Sequence, residues 1–201
     1  MILIGIVGKM QSGKDTVCKF IQQILSHQKV LRLGFADALK EEVAIAIAQN
    51  DIVCGVPPKR KEEYLEFIEQ NKSHFRKMLQ GWGTDFRREL CFDGYWIQRL
   101  YKKLCEEPYS KSDVVIIPDC RFQNEAKAIK DVGGILIKVV RPTDIIDNHQ
   151  SETDSDVIVP DFIIENNKDL DFLRNVTCSV LATILYQTKQ KSCIHQQDAK
   201  R

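Results

Sequence analysis

A glycine-rich turn between a buried strand and a helix constrains the fold of this chain more than any other feature. Residues 2–7 read Ile-Leu-Ile-Gly-Ile-Val, a continuous apolar run that predicts a strand buried on both faces, as in a parallel sheet. Residues 8–14 follow as Gly-Lys-Met-Gln-Ser-Gly-Lys, and apolar side chains then recur at helical spacing over residues 14–27. A G-x-x-x-x-G-K turn in this setting predicts a phosphate-binding loop.

The chemistry of a bound triphosphate explains the spacing of this loop. Glycines let backbone N–H groups turn inward around a phosphate, and the following helix adds unpaired N–H groups and its positive dipole end. Lys14 would reach the β- and γ-phosphates as a point charge. Such loops usually continue with Ser or Thr as a magnesium ligand, whereas here Asp15 follows and Thr16 comes one place late. Asp15 could hold Mg²⁺, directly or through water, or it could cap the helix.

The rest of the chain alternates strands and helices. Further strands are predicted over residues 30–35, 114–117, 135–140 and 162–164, and further helices over residues 36–49, 59–72, 74–90, 95–105, 122–132 and 170–186. Alternation of this kind predicts an α/β fold with a parallel sheet flanked by helices. The helical block between the second and third strands is too long for a simple crossover, so we expect a substrate-binding subdomain over about residues 51–110. We expect one domain over residues 1–188 and a frayed polar tail over residues 189–201.

Composition narrows the class of protein. The chain carries 29 Lys and Arg against 28 Asp and Glu, a net charge of +1, so no global basic field points to nucleic acid or a membrane surface. No apolar stretch approaches the roughly 18 residues of a membrane helix, and the opening apolar run is too short for a signal peptide. The 7 cysteines contain no C-x-x-C pair and fit neither a zinc site nor a disulfide framework. We therefore expect reduced thiols in a cytoplasm.

A phosphate loop without the base-reading N-K-x-D signature of GTPases, in a short and neutral chain, favours a small-molecule kinase over a nucleic-acid motor. Such an enzyme needs a second anion site facing the γ-phosphate, which arginines build well. Asp119 and Arg121 follow the strand predicted over residues 114–117, at the sheet edge where ligands of open α/β folds bind. Asp119 could hold Mg²⁺ or cap the next helix, and Arg121 could clamp the transferring group or be solvated.

The segment over residues 79–89, L-Q-G-W-G-T-D-F-R-R-E, places two glycines within a helical pattern. Each glycine costs ~1 kcal/mol inside a helix, so another group is expected to approach closely there. Arg87 and Arg88 follow one turn later. Three aromatic side chains in this region could stack on a base or belong to the core: Trp82, Phe86 and Trp96.

A polar, acidic stretch lies between the last two predicted strands, over about residues 142–160. In a kinase this is where a lid would close over ATP. The pattern alone favours a solvated acidic loop, with His149 exposed rather than catalytic.

Seven segments in chain order carry a family resemblance: G-K-M-Q-S-G-K-D-T, F-A-D-A-L-K, L-Q-G-W-G-T-D-F-R-R-E, P-D-C-R-F-Q-N-E-A, V-V-R-P, H-Q-S-E-T and D-F-I-I-E-N-N. Together they resemble the bacteriophage-type deoxynucleoside monophosphate kinases of the P-loop nucleoside monophosphate kinase superfamily, from residue 1 to about residue 187. The Asp after the loop lysine is itself a mark of that family. The resemblance implies a three-layer P-loop kinase fold with a helical substrate-binding insertion and a small lid.

The same resemblance implies roles for individual residues. The donor ATP would be bound by Gly8, Gln11, Ser12, Gly13, Lys14, Asp15 and Thr16. The acceptor would be bound by Lys9, Asp37, Lys40, Gly83, Thr84, Arg88, Trp96, Arg121, Glu125 and Glu152. Lys14, Arg88 and Arg121 would be catalytic. Asp15 and Asp119 are the candidate Mg²⁺ ligands from the residue patterns described above, with helix capping as the alternative for each.

The expected reaction is transfer of the γ-phosphoryl group of Mg·ATP to the 5′-phosphate of a deoxynucleoside monophosphate. No general base is required, because a phosphomonoester has a second pKa of about 6 and is already anionic near neutral pH. The expected partners are small-molecule nucleotides, with no nucleic acid and no membrane, and a homodimer is compatible with the sequence. The animal-type phosphomevalonate kinases, which also phosphorylate a phosphate, share an S-E element and a D-F/W-x-I-E-N strand; Trp82 and Trp96 favour a base as acceptor. A non-catalytic nucleotide-binding module is the third alternative.

Overall fold

Strand β1 is the middle strand of a parallel sheet in the computed structural model, which describes residues 1–54, 57, 59–106, 113–142 and 150–198. The elements in chain order are β1 (Ile2–Val7), α1 (Lys14–Ile24), β2 (Val30–Arg32), α2 (Phe35–Val53), α3 (Lys61–Gln70), α4 (Lys72–Gln80), a π-helix (Gly81–Cys91), α5 (Tyr95–Glu106), β3 (Val114–Cys120), α6 (Gln123–Asp131), β4 (Ile135–Val140), α7 (Gln150–Val157), β5 (Phe162–Glu165) and α8 (Leu170–Asp198). The chain divides into two compact units. The first holds the described residues of 1–33 and from 113 onward, and the second holds those of 34–106.

The first unit is built on the sheet. Its strand order over the described residues is β2-β3-β1-β4-β5, and every neighbouring pair is parallel. Ile4 of β1 pairs with Ile116 on one side and with Ile135 on the other. The chain leaves β1 towards β2 and β3 on one side and later reaches β4 on the other, so the carboxyl end of β1 is the point at which ligands of open α/β sheets bind.

Helices cover both faces of this sheet. Ile4 and Ile6 belong to a buried cluster with α1 and α8, which includes Ile21 and Ile184. Alternate side chains of a strand point to opposite faces, and α6 packs against the other face through Ile129, which lies next to the backbone of β1. Helix, sheet and helix therefore form three layers, which confirms the expected α/β class.

The second unit is helical. It contains α2 to α5 with the π-helix, and its core consists of buried side chains from α2, α3 and α4: Val43, Ala44, Tyr64, Ile68 and Phe75. It begins at Gly34 rather than near residue 51, because α2 belongs to this unit and not to the unit that contains the sheet. The strand expected over residues 30–35 ends at Arg32 because α2 starts at Phe35, where Gly34 N–H donates to Oδ2 of Asp37 at 2.6 Å.

Three further expectations about secondary structure are wrong. The single helix predicted over residues 74–90 changes to π-helical hydrogen bonding at Gly81. The acidic stretch predicted as irregular contains α7 over residues 150–157, while residues 143–149, including His149, lie outside the described part. The tail expected to fray after residue 188 continues α8 to Asp198. Among the described residues, no helix combines the length and apolar character needed to cross a bilayer.

Candidate active site

The phosphate loop of the first unit has the backbone conformation that its glycines predict. Gly8 and Gly13 have φ angles of 155° and 101°, and Gln11 between them has a φ of 60°. A Cβ atom on Gly8 would lie 2.6 Å from the carbonyl oxygen of Val139 and 2.7 Å from Oγ of Ser12. Positive φ angles and the close approach of these atoms make glycine the residue that fits.

The amine of Lys14 lies inside this loop. Its Nζ donates to the carbonyl oxygens of Gly8 and Lys9, each at 2.6 Å, and the residue is only 8% exposed. Backbone carbonyls are neutral acceptors, whereas phosphate oxygens are charged and accept stronger hydrogen bonds. The amine is therefore held where a phosphate could take over its bonds.

Ser12 supplies a direct test of whether an anion fits the loop. The residue is 2% exposed, and its Oγ is buried without a hydrogen-bond partner among the described residues. A buried hydroxyl left unpaired costs about 1–3 kcal/mol. An anion in the loop would offer the missing acceptor, so the residues present fit a phosphate group.

A residue far away in sequence holds the loop from outside. Asn166, which follows β5, donates from Nδ2 to the carbonyl oxygen of Ser12 at 2.8 Å. A Cβ on Gly13 would collide with the same Nδ2 atom. From the sequence, Asn166 was noted only as part of the D-F-I-I-E-N-N segment, and no role was predicted for it.

The two predicted metal ligands, Asp15 and Asp119, both belong to the first unit. Asp15, in the first turn of α1, is exposed, and its carboxylate makes no hydrogen bond or ion pair with the described residues. Asp119 is partly buried near the end of β3. Burial raises the pKa of the nearby Cys18 thiol to about 11; Arg32 opposes this rise, and the negative charges of both carboxylates add to it. Among the described residues, no group of three or more His, Cys, Asp or Glu is arranged to hold a metal ion.

The side chain of Glu125 contacts the backbone of Arg121. Oε2 of Glu125 accepts the N–H groups of Arg121 and Phe122 at 2.9 and 3.2 Å, which is one half of a capping box at the start of α6. Glu125 is 2% exposed. Its carboxylate therefore orients the backbone that carries Arg121.

The other predicted residues of the first unit are partly buried, exposed or outside the described side chains. Thr16 is partly buried in the first turn of α1. Nζ of Lys9 lies 2.9 Å from Oδ2 of Asp156 on α7. Glu152 belongs to α7 by its backbone, and its side chain lies outside the described part.

In the second unit, the π-helix brings together three predicted acceptor residues: Gly83, Thr84 and Arg88, all buried. A π-helix bonds residues five apart, so Gly83 and Arg88 lie on one face. The side chain of Leu39 approaches Gly83, where a Cβ would lie 3.0 Å from its Cδ2. Nε1 of the buried Trp96 donates to the Gly83 carbonyl at 2.9 Å. The close approach expected at a glycine of this helix is therefore present at Gly83.

The charged residues predicted for the acceptor site already have partners in the second unit. Arg88 donates from Nη1 to the carbonyl oxygen of Asp93 at 3.2 Å and lies 3.4 Å from its Oδ1. Asp37 accepts the Gly34 N–H described above. Lys40 pairs with Glu69 of α3 at 2.8 Å. An anionic acceptor would have to compete with these carboxylates for the two cations.

Glu42 of α2 organises the second unit, and the sequence analysis missed it. Its carboxylate accepts hydrogen bonds from Trp82 Nε1 at 3.1 Å, from Arg87 Nε at 2.8 Å, and from the Tyr95 hydroxyl. Partial burial tends to raise the Glu42 pKa, but these three bonds and the Arg87 charge outweigh it and lower the pKa. The Arg87 guanidinium carbon lies 4.7 Å and 4.8 Å from the ring centres of Phe86 and Tyr95. Arg87 is therefore part of the structural hydrogen-bond network around Glu42.

Comparison with known proteins places these two units in a family. A model of the deoxynucleotide monophosphate kinase family matches residues 56–176, from the second unit into α8. The chain belongs to this family. A candidate deoxynucleotide monophosphate kinase of Acanthamoeba polyphaga mimivirus is 30% identical over 188 residues, which covers 85% of this chain and 91% of that protein. The chain is thus a kinase, as the sequence predicts.

The chain is also similar to solved structures of kinases. A gluconokinase from Sinorhizobium meliloti matches with a TM-score of 0.50 and 14% identity, over 95% of this chain and 97% of that chain. A shikimate kinase from Acinetobacter baumannii has a TM-score of 0.45 and 16% identity, over 93% of this chain and 94% of that chain. The parallel sheet, the phosphate loop and the gluconokinase match together support a P-loop kinase fold.

Proposed function

We propose that the protein transfers the γ-phosphoryl group of ATP to the 5′-phosphate of a deoxynucleoside monophosphate, giving the diphosphate and ADP. The observation that carries the proposal is the loop at residues 8–14. There the Lys14 amine bonds to backbone carbonyls, and a buried Ser12 hydroxyl has no partner among the described residues. Membership of the deoxynucleotide monophosphate kinase family supports the choice of acceptor.

The donor would be bound by the loop and the first turn of α1, through Gly8, Gln11, Ser12, Gly13, Lys14, Asp15 and Thr16. Lys14 would exchange the carbonyls of Gly8 and Lys9 for β- and γ-phosphate oxygens. The acceptor phosphate is anionic near neutral pH, so the protein needs no general base. Its residues would instead hold the reacting groups in line and neutralise the charge that develops during transfer.

In the second unit, the residues proposed for the acceptor are Asp37, Lys40, Gly83, Thr84, Arg88 and Trp96. In the first unit, the residues proposed for the acceptor are Lys9, Arg121, Glu125 and Glu152. Arg88 and Arg121 would be catalytic together with Lys14. Each arginine can place a planar guanidinium against a phosphate, and Lys14 supplies a point charge. Glu125 would act by orienting the Arg121 backbone rather than by contact. Lys40 would first leave Glu69.

Asp15 and Asp119 would hold Mg²⁺, whose charge, when it is bound, offsets that of the β- and γ-phosphates. The carboxylate of Asp15, which makes no hydrogen bond or ion pair with the described residues, supports this choice. Mg²⁺ commonly keeps only one or two protein carboxylates and takes its other ligands from phosphates and water. A cytoplasmic location (the host cytoplasm if the source is viral), the absence of nucleic-acid and membrane partners, and a homodimer stay predictions.

The decisive experiment measures ADP release from ATP with each of the four deoxynucleoside monophosphates and, separately, with phosphomevalonate. We expect turnover with at least one deoxynucleotide, and a loss of at least about 100-fold in Lys14→Ala. The matched control is Lys19→Ala, which removes an exposed lysine from the same helix and should leave turnover unchanged.

Three outcomes would contradict the proposal. Near-normal turnover by Lys14→Ala would exclude the mechanism. Turnover with phosphomevalonate alone would make the isoprenoid precursor the acceptor. Nucleotide binding without ADP release with any acceptor would indicate a non-catalytic binding module.

A further inference from the structure

The position of Asn166 is fixed by the sheet. The residue follows β5 directly, and its backbone N–H donates to the carbonyl oxygen of Val140 at 2.7 Å, which continues the pairing of β4 and β5. It is 8% exposed. Because its backbone is held by β4, its side chain reaches the phosphate loop from a rigid support rather than from a loop of its own.

The side chain of Asn166 contacts the loop at one peptide unit. Nδ2 donates to the Ser12 carbonyl oxygen at 2.8 Å in a buried hydrogen bond. The same atom packs against Gly13, where any Cβ would collide with it. Contact on both sides of the Ser12–Gly13 peptide bond fixes the plane of that peptide as well as its position.

The geometry of a peptide determines what this contact does. In a planar trans peptide the C=O of one residue and the N–H of the next point in opposite directions. With the Ser12 carbonyl turned towards Asn166, the N–H of Gly13 points away from Asn166. In a loop that binds phosphate through backbone N–H groups, this orientation determines whether the Gly13 N–H can reach the anion.

We propose that Asn166 is a positioning residue of the donor site, which orients the Gly13 N–H towards the phosphates of the bound nucleotide by holding the Ser12 carbonyl. The inference rests on the proposed function only in that the loop binds the donor nucleotide. Asn166 itself touches no substrate. Its loss should therefore weaken donor binding while acceptor binding is kept.

Binding of ADP to the full-length chain, measured by calorimetry, tests the inference without turnover. Asn166→Ala should weaken ADP binding about fivefold to tenfold, the value of a net hydrogen bond. The matched control is Asn167→Ala, which removes the neighbouring exposed amide, whose Nδ2 lies 3.3 Å from Glu165 Oε2. The control should bind ADP as the unchanged protein does. In steady-state assays, Asn166→Ala should raise KM for ATP and leave KM for the deoxynucleotide unchanged.

A second measurement needs no variant. In the unchanged protein labelled with ¹⁵N, the Gly13 amide proton should move downfield when ADP binds. Equal ADP affinity in Asn166→Ala and Asn167→Ala would overturn the inference, as would a Gly13 resonance that does not respond to ADP, even if Asn166→Ala fails to fold. If the unchanged protein binds no ADP, the donor site of the proposed function fails as well.

Discussion

Nζ of Lys9 lies 2.9 Å from Oδ2 of Asp156, and this ion pair joins the phosphate loop to helix α7. Both side chains are about half exposed, at 47% and 52%. Lys138 donates to the backbone carbonyl of Asp156 at 3.1 Å and fixes the end of the helix. A carboxylate thus neutralises one of the two lysines of the loop, and a phosphate that binds near Lys9 has to compete with it.

Asp156→Asn is therefore expected to tighten binding of the acceptor deoxynucleoside monophosphate about twofold to threefold, since exposed ion pairs are worth roughly 0.2–1 kcal/mol. Calorimetry at low salt measures the change, which should shrink at about 0.5 M salt because salt screens exposed charges. Asp154→Asn is the control, because Asp154 lies on the same helix without an ion pair among the described residues. Equal tightening in both variants would mean that only net charge matters.

Gly13→Ala should destabilise the first unit and abolish ADP binding. The new Cβ meets both a positive φ of 101° and the Nδ2 atom of Asn166. Gly133→Ala is the matched control, since Gly133 has a φ of 78° with no atom within 4 Å of its Cβ position. The control should lose only about 1 kcal/mol of unfolding free energy, the cost of a left-handed conformation, and keep ADP binding. Urea unfolding and calorimetry would distinguish the two variants, and similar losses of ADP affinity would contradict the expectation.

Glu42→Gln should lower the free energy of unfolding at pH 7 by about 2 kcal/mol, because it removes the charge from three hydrogen bonds. The pKa of Glu42 is below its ordinary value near 4.5 in the folded protein. Its stabilising effect is therefore complete above the unfolded pKa and is lost as the pH falls through the folded one.

Urea unfolding at pH 7 and in the acid range tests both parts of this expectation. The unfolding free energy of Glu42→Gln should fall less on acidification than that of the unchanged protein. Glu89→Gln removes an exposed carboxylate from the π-helix and serves as the control. A pH dependence identical in all three proteins would show that Glu42 is not the group that titrates.

Asp15→Asn should raise the Mg²⁺ concentration needed for half-maximal ADP release by at least about tenfold. Its carboxylate makes no hydrogen bond or ion pair with the described residues, so the midpoint of thermal unfolding should hardly move. The capping alternative makes the opposite prediction. A drop in stability of roughly 0.3–1 kcal/mol with an unchanged Mg²⁺ requirement would assign Asp15 to the helix dipole.

Cys18 should resist thiol reagents in the folded protein. Burial raises its pKa to about 11, so the reactive thiolate is scarce at neutral pH. Cys91 is exposed and serves as the internal control. Alkylation at pH 7.5 followed by peptide mass spectrometry should label Cys91 and spare Cys18 until the protein is unfolded. Labelling of both at similar rates would contradict the burial of Cys18.

The parts of the fold that depend on neighbouring residues could be predicted from the sequence. The apolar run of β1, the turn and the amphipathic α1 are contiguous, so their pattern determines strand, loop and helix together. The parallel sheet followed from the alternation of strands and helices, and the close approach at Gly83 followed from the helical cost of glycine. Each of these inferences rests on local pattern.

Two kinds of feature could not be predicted: contacts between residues that are distant in sequence, and elements whose hydrophobic pattern does not distinguish a helix from a loop. Asn166 bonds to a carbonyl 154 residues earlier in the chain. A polar residue after a strand does not by itself indicate which distant group it will contact. Glu42 meets Trp82, Arg87 and Tyr95 only after the second unit has folded. Helix α7 has no sustained apolar period, so a short polar helix there resembles a solvated loop.

Insertion or deletion of one residue within the π-helix, residues 81–91, would change the geometry of the chain there. A π-helix closes each hydrogen bond over one more residue than an α-helix does, so deletion of a single residue there would let the backbone close as an ordinary helix. Such a deletion would keep a continuous helix between α4 and α5 but rotate Arg88 away from the face that it shares with Gly83. Gain or loss of one codon in this stretch would therefore alter how the chain presents Arg88.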